Sequence, residues 1–211
     1  MVNMSISFFE QWKSDNADTL AEIRKSAHEL HASVNQTYGG DKPYGVHLDM
    51  VAESVYACAF LVCIDEEDLL PLFFGAYYHD SIEDARLTYN DVRKRALAWM
   101  GSDQAYAAAE IVYALTNEKG RTRAERAGER YYAGIRNTPF APFVKLADRL
   151  ANMTYSWRND NAANLQMRKV YAAELPHFIE AIDAHSDDVR LSLPRVMIER
   201  IESLLVGGDS A

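Results

Sequence analysis

Apolar residues in this chain recur three and four positions apart in segment after segment, and no stretch sustains the alternation of a half-buried strand. That periodicity confines the chain to a helical architecture, and the expectation is an all-α, single-domain, multi-helix bundle over residues 1–211. Polar or Gly/Pro clusters punctuate it at Tyr38 to Pro43, Asp65 to Asp68, Arg86 to Asn90, Gly101 to Asp103, Asn117 to Gly120, Asn137 to Pro142, Arg158 to Asn161 and Ser186 to Asp188, which divides the chain into eight or so helices. Thr88 with Asp91 has capping-box spacing, and Ser102 or Asp103 is placed to cap the next helix. Pro176, inside the periodic segment Ala162 to His185, is expected to kink that helix or end it. The C-terminal GGDSA reads as frayed, and no linker, repeat or low-complexity tract interrupts the chain.

Composition removes several classes of function. With 48% hydrophobic and 25% charged residues the chain is neither disordered nor fibrous. A net charge of −9 disfavours a protein that coats a phosphate backbone, so nucleic acid is not an expected partner. Cys58 and Cys63 are the only cysteines and both lie in apolar sequence, which argues against a disulfide scaffold or a thiolate zinc site and fits a reduced, cytoplasmic setting. The N-terminal residues lack the pattern of a signal peptide, and the longest apolar runs, Val55 to Ile64 and Leu69 to Tyr78, reach about half a membrane span, so no membrane helix is expected.

The chemistry concentrates in AYYHDSIEDA. If the helix of the preceding LLPLFFGAYY continues through it, His79 with Glu83 and Asp80 with Asp84 form two i,i+4 pairs on one broad face. That face emerges from sequence apolar enough to be buried, where unpaired carboxylates are expensive and a bound cation relieves the cost. His47, in KPYGVHLDMVA, and Asp148, in FVKLADRLANM, are the best further ligands, since each is polar in an apolar helical frame. Two imidazoles and two carboxylates without a thiolate suit Mn, Fe or Zn with positions open to water, and manganese is the first choice. His28 and His31 read as a surface or a satisfied core pair, and His177 and His185 as structural or solvent-facing residues.

A second signal is electrostatic. Between Glu118 and Arg149 eight cations stand against four acids, a local excess of +4 in a chain of −9. Arg123, Arg126 and Arg130 are spaced for one helix face suited to a polyanion, and the preceding loop NEKGRT, with Lys119, is placed to close over a ligand. The plainer alternative is a solvated face of intrahelical Glu–Arg pairs.

Three blocks, in order, resemble the HD-domain metal-dependent phosphohydrolases, and among them the hydrolase domain of the RelA/SpoT homologues and the stand-alone small alarmone hydrolases. PYGVHLDMVA looks like the first-histidine block, YYHDSIEDA like the HD-x-x-E-D block and VKLADRLANM like the K-L-A-D-R-L-x-N-M block. The resemblance implies an HD-type bundle with its metal in a central cleft, a motif-bearing core over about residues 27–157 and C-terminal helices over about 161–205. It implies that His47, His79, Asp80 and Asp148 hold one Mn²⁺, that Glu83 and Asp84 serve catalysis, and that Asn152 lines the nucleotide site. Lys145, Tyr155, Arg123, Arg126 and Lys119 complete the expected substrate contacts. The reaction it implies is removal of the 3′-pyrophosphate of ppGpp or pppGpp, giving GDP or GTP. Three positions depart from the family. Gln36 and Thr37 stand where an Arg-Lys pair packs on guanine, leaving Tyr38 or Lys42 to take that place, and Tyr155 replaces a common Thr. The alternatives are hydrolysis of another nucleotide and a non-catalytic nucleotide sensor.

Overall fold

The computed structural model describes residues 4–207; of the C-terminal GGDSA expected to fray, Gly207 closes the last helix and residues 208–211 lie outside the described residues. The helices are α1 (Ile6–Asp15), α2 (Ala17–Ser33), α3 (Gly45–Cys58), α4 (Leu69–Tyr78), α5 (Tyr89–Ala96), α6 (Ser102–Leu115), α7 (Arg123–Arg126), α8 (Glu129–Asn137), α9 (Ala141–Arg158), α10 (Ala162–Ile182) and α11 (Arg195–Gly207). A two-residue antiparallel pair, β1 (Thr37–Tyr38) and β2 (Lys42–Pro43), joins α2 to α3, with Tyr38 opposite Lys42. The all-α expectation holds, with more helices than the eight or so expected. One extra break is at Asn16, whose amide side chain donates to the Trp12 carbonyl (2.9 Å) and so ends α1 without glycine or proline.

The bundle is organised around helices that are apolar on more than one side. Nine of the ten residues of α4 are buried, which is the reading LLPLFFGAYY invites. Its neighbours Phe73 and Phe74 enter two different apolar clusters, as do Val51 and Ala52 of α3 and Ile111 and Val112 of α6. One cluster joins these helices to α8, α9, α10 and α11, and the other joins them to α2 and α5. Gly75 lets α4 approach α6 closely: a Cβ there would lie 2.6 Å from the Ile111 side chain. Among the described residues no helix is long and apolar enough to cross a membrane.

The caps separate into those the sequence declares and those it disguises. Thr88 caps α5 as expected, its hydroxyl accepting from the Asp91 amide (3.2 Å) while Asp91 accepts from the Thr88 amide (2.9 Å). Thr88→Ala is expected to cost about 1 kcal/mol of stability, read from urea unfolding midpoints. Helix α6 corrects the expectation: Gly101 is its cap, with Gln104 accepting from the Gly101 amide (3.4 Å), and Ser102 is already the first helical residue. Pro176 does not end α10, which runs unbroken through it. Helix α9 starts after Phe140, held at φ 67° with its amide donating to the Arg190 carbonyl (2.6 Å), and it packs against α3, α10 and α11.

Candidate metal centre

Three elements bring the expected ligands together. His47 lies in the first turn of α3, His79 and Asp80 directly follow α4, and Asp148 is in the middle of α9. The two imidazole Nε2 atoms are 3.2 Å apart. Asp80 Oδ2 is 2.9 Å from His79 Nε2 and 3.5 Å from His47 Nε2, and Asp148 Oδ1 is 3.3 and 3.9 Å from the Nε2 atoms of His47 and His79. His47, His79 and Asp80 form a group that can hold a metal ion, and Asp148 borders it.

The local structure at His79 differs from the sequence expectation. Residues His79 to Asp84 do not continue α4 as a helical face; they form a turn. His79 Nδ1 donates to the Ala76 carbonyl (2.9 Å) and the Ser81 amide donates to that of Tyr78 (2.9 Å), so an imidazole and a tightened turn take up the carbonyls a further helical turn would use. The change has a chemical effect. Adjacent residues on a helix point apart, whereas here Asp80 swings back beside His79. The Nδ1 bond also fixes the tautomer and leaves the Nε2 lone pair of His79 facing the cluster, the usual support of a metal-binding histidine.

The electrostatics fit a cation. Burial alone would raise the Asp148 carboxyl, but Lys145 and the two imidazoles hold it well below the usual carboxylate range. Asp80 is likewise pulled far down by His79 and His47 against the cost of burial. Burial lowers His47, and the two carboxylates more than reverse it. The cluster therefore favours positive charge, and its donor set, imidazoles and carboxylates without a thiolate, is of a kind that can hold a divalent ion.

The surrounding contacts are specific. Tyr44 donates to Asp80 Oδ2 (2.5 Å), Lys145 to Asp148 Oδ2 (2.9 Å) and Asn152 to Asp148 Oδ1 (2.6 Å). Lys145, Asp148, Asn152 and Tyr155 fall three or four residues apart along α9, hence on one face. Tyr38 donates to Asn152 Oδ1 (3.0 Å) and its ring lies 4.9 Å from that of His47. Tyr155 is buried against Tyr38 and the backbone of Gly39. A Cβ on Gly39, which has φ +63°, would overlap the Tyr155 hydroxyl at 1.8 Å.

Glu83 stands at the rim, where its carboxylate accepts from the Asn117 amide and from Asn117 Nδ2 (3.2 Å). The protein around it and the Asp80 charge outweigh the Asn117 bond and raise its carboxyl. Asp84 is raised by burial and by Asp80.

A cavity of about 690 Å³ includes Lys145, Asp148 and Asn152 in its wall and also takes in Arg123, Arg126 and Tyr171. The expected single arginine face does not form, because the chain breaks at Ala127 and Gly128 between α7 and α8. Arg130 lies on a separate groove and pairs with Glu118 (3.3 Å), while Lys119 is exposed and lines neither cavity. The NEKGRT loop is tied down through the Arg121 amide on Glu125 (2.7 Å) and the Glu118 amide on the Arg126 carbonyl (3.0 Å). Gln36 is half-buried and Thr37 exposed, and Lys42 approaches only Asp41 (3.9 Å) among the described acids. His177 is solvent-facing, one of the two readings its sequence allows, and it also lines the cavity; His185 is exposed beside Glu180 and Asp183.

Several participants escape the sequence. Tyr44 is an ordinary tyrosine just before α3, and Asn117 and Glu174 reach the site only through tertiary packing. His31 is the sharpest miss. It is fully buried and stacked on Tyr44 (4.6 Å), with neither ring nitrogen bonded, rather than satisfied; His28 instead meets Asp49 at 3.0 Å. Burial pushes the His31 imidazole down to about 4. The unfolded chain takes up this proton as pH falls through about 6.5 and the folded protein only near 4, so the stability is present above 6.5 and lost between those values. Urea unfolding at pH 7 and pH 4.5 is expected to show a loss of up to about 3 kcal/mol that His31→Phe, which keeps the stack, does not share.

The chain matches no family model and no curated protein.

Proposed function

We propose that this protein is a metal-dependent phosphohydrolase that removes the 3′-pyrophosphate from ppGpp or pppGpp, with Mn²⁺ as its ion. One observation carries the reading. His47, His79, Asp80 and Asp148, up to about a hundred residues apart in the chain, converge so that each imidazole Nε2 lies 2.9–3.9 Å from both carboxylates, beside a cavity furnished with cations and aromatic rings. That is the arrangement the three motif blocks imply, and a fold unrelated to those motifs has no reason to assemble it.

The four ligands would hold the ion, which when bound supplies Lewis acidity toward a phosphoryl oxygen and acidifies water. The remaining roles belong to the chain. Glu83, fixed by two bonds from Asn117 and raised toward neutrality, is placed to accept the proton of the attacking water. Lys145 holds Asp148 in orientation and adds positive charge beside the position of the attacked phosphate. Asn152 is fixed between Asp148 and Tyr38, so its amide is a rigid contact for the ribose or phosphate. Asp84, also raised, supports a second proton position next to Asp80.

A second reading, the same chemistry on another nucleotide, is favoured by one feature: Gln36 and Thr37 stand where the family has its guanine-packing pair, and the neighbouring Tyr38 meets Tyr155 at 4.4 Å with the rings tilted by 52°. The test is a product assay. Metal-stripped protein with Mn²⁺ restored is incubated with ppGpp, pppGpp and a panel of ordinary nucleotides, and products are resolved by anion exchange. GDP or GTP with pyrophosphate, only when Mn²⁺ is present, is the expected result. Inert ppGpp with turnover of another nucleotide selects the second reading, and turnover of none leaves a binding module.

A further inference from the structure

The cavity contains an ion pair that the proposed chemistry does not use. Glu174 of α10 accepts from Arg123 Nε (2.8 Å) and Nη2 (3.0 Å) and from Arg149 Nη1 (3.2 Å), so one carboxylate bridges two guanidinium groups from α7 and α9. The other charges around it are nearly all matched. Lys145 is taken by Asp148, and Glu129 by Arg136. Arg126, which lines the same cavity, has no ion pair with a described acid. Four cations (Arg123, Arg126, Lys145 and Arg149) thus line the cavity with three carboxylates (Asp148, Glu174 and Glu129), and with Glu129 already taken by Arg136 from outside the lining, the four cations are short of two negative charges.

The partners also differ in freedom to move. Arg149 is packed between the rings of Phe178 (4.1 Å) and Tyr171 (4.9 Å), with only 8% of its side chain exposed. Glu174 keeps a third of its side chain open to solvent. If an incoming anion competes for these arginines, the carboxylate yields and Arg149 stays.

We propose that Glu174 is a built-in placeholder for the anionic group of the ligand and so sets the charge the cavity accepts. This rests on the cavity being the seat of the substrate. A carboxylate has one charge and two oxygens, which Arg123 and Arg149 consume. A phosphate or diphosphate has more of both, meets those arginines in the same forked geometry, and has oxygens left for Arg126. A neutral or singly charged group gains too little to displace Glu174. The ligand class is therefore one that carries a phosphate or diphosphate group.

The test is calorimetric titration of inorganic pyrophosphate into the full chain at fixed ionic strength with chelator present, so that no metal attracts the probe. Glu174→Gln preserves shape and removes the competing charge, and about tenfold tighter binding than wild type is expected. Arg126→Gln, which leaves the bridge intact, is expected to bind about tenfold more weakly, and it decides the matter if the first variant does not fold. Equal or weaker binding by a folded Glu174→Gln protein, or undiminished binding by Arg126→Gln, overturns the proposal. Turnover is not read in this experiment. A working hydrolase whose Glu174→Gln variant gains nothing loses only the placeholder, and a protein inert toward every nucleotide whose variant gains affinity keeps it.

Discussion

Asp148→Ala is expected to yield protein that carries no stoichiometric metal by elemental analysis and turns over nucleotide at least about 10³-fold more slowly than wild type. Asp148 acts on two sides. Its Oδ1 lies within 3.9 Å of both imidazole Nε2 atoms, and its Oδ2 accepts from Lys145. Removal leaves the centre with one carboxylate and leaves Lys145, only 19% exposed, without its counter-charge. Breaking a buried pair from one side typically costs about 3–5 kcal/mol, so the melting temperature should fall as well. Asp148→Asn separates the effects. It keeps the volume and the contact with Lys145 through oxygen, so it should be milder in stability and equally deficient in metal. Retained metal with near-normal turnover in both variants would remove Asp148 from the ligand set.

Glu83→Gln is expected to do the reverse: metal content unchanged and turnover lower by about 10²–10⁴-fold, as for a lost general base. Glu83 is not in the His47, His79, Asp80 group, and its oxygens are committed to Asn117. Gln retains the acceptor and the reach but cannot take a proton. Turnover within a few-fold of wild type would show that another group accepts the proton, and Asp84→Asn is then the variant to compare.

The sequence exposes the helical class and the candidate ligands for one reason: both are written in local pattern. Burial of LLPLFFGAYY follows from its composition, and His47 and Asp148 stand out as polar residues in apolar frames. What is lost is decided by bonds across the chain. The turn at His79 depends on an imidazole reaching the Ala76 carbonyl, which periodicity cannot register, so a continued helix was the natural reading of HDSIED. The arginines of 123–130 have helical spacing, yet Gly128 breaks the run, and Arg123 finds Glu174 fifty-one residues away. Nothing in HELHAS distinguishes His31, which is buried and unbonded, from His28, which meets an aspartate at the surface.

The adjacent side chains of α3, α4 and α6 that enter different apolar clusters bear on how the molecule comes apart. Each of these helices gives side chains to both clusters, so each cluster is roofed by elements that also belong to the other. A fragment ending at Leu115 would keep α1, α2 and α5 but lose α8 to α11, which supply much of the cluster that holds Val51, Phe73 and Ile111, and it should aggregate rather than fold. Two cores that share their walls melt together. Scanning calorimetry should record one endotherm whose calorimetric and van't Hoff enthalpies agree, and limited proteolysis should release no half-molecule as a stable domain.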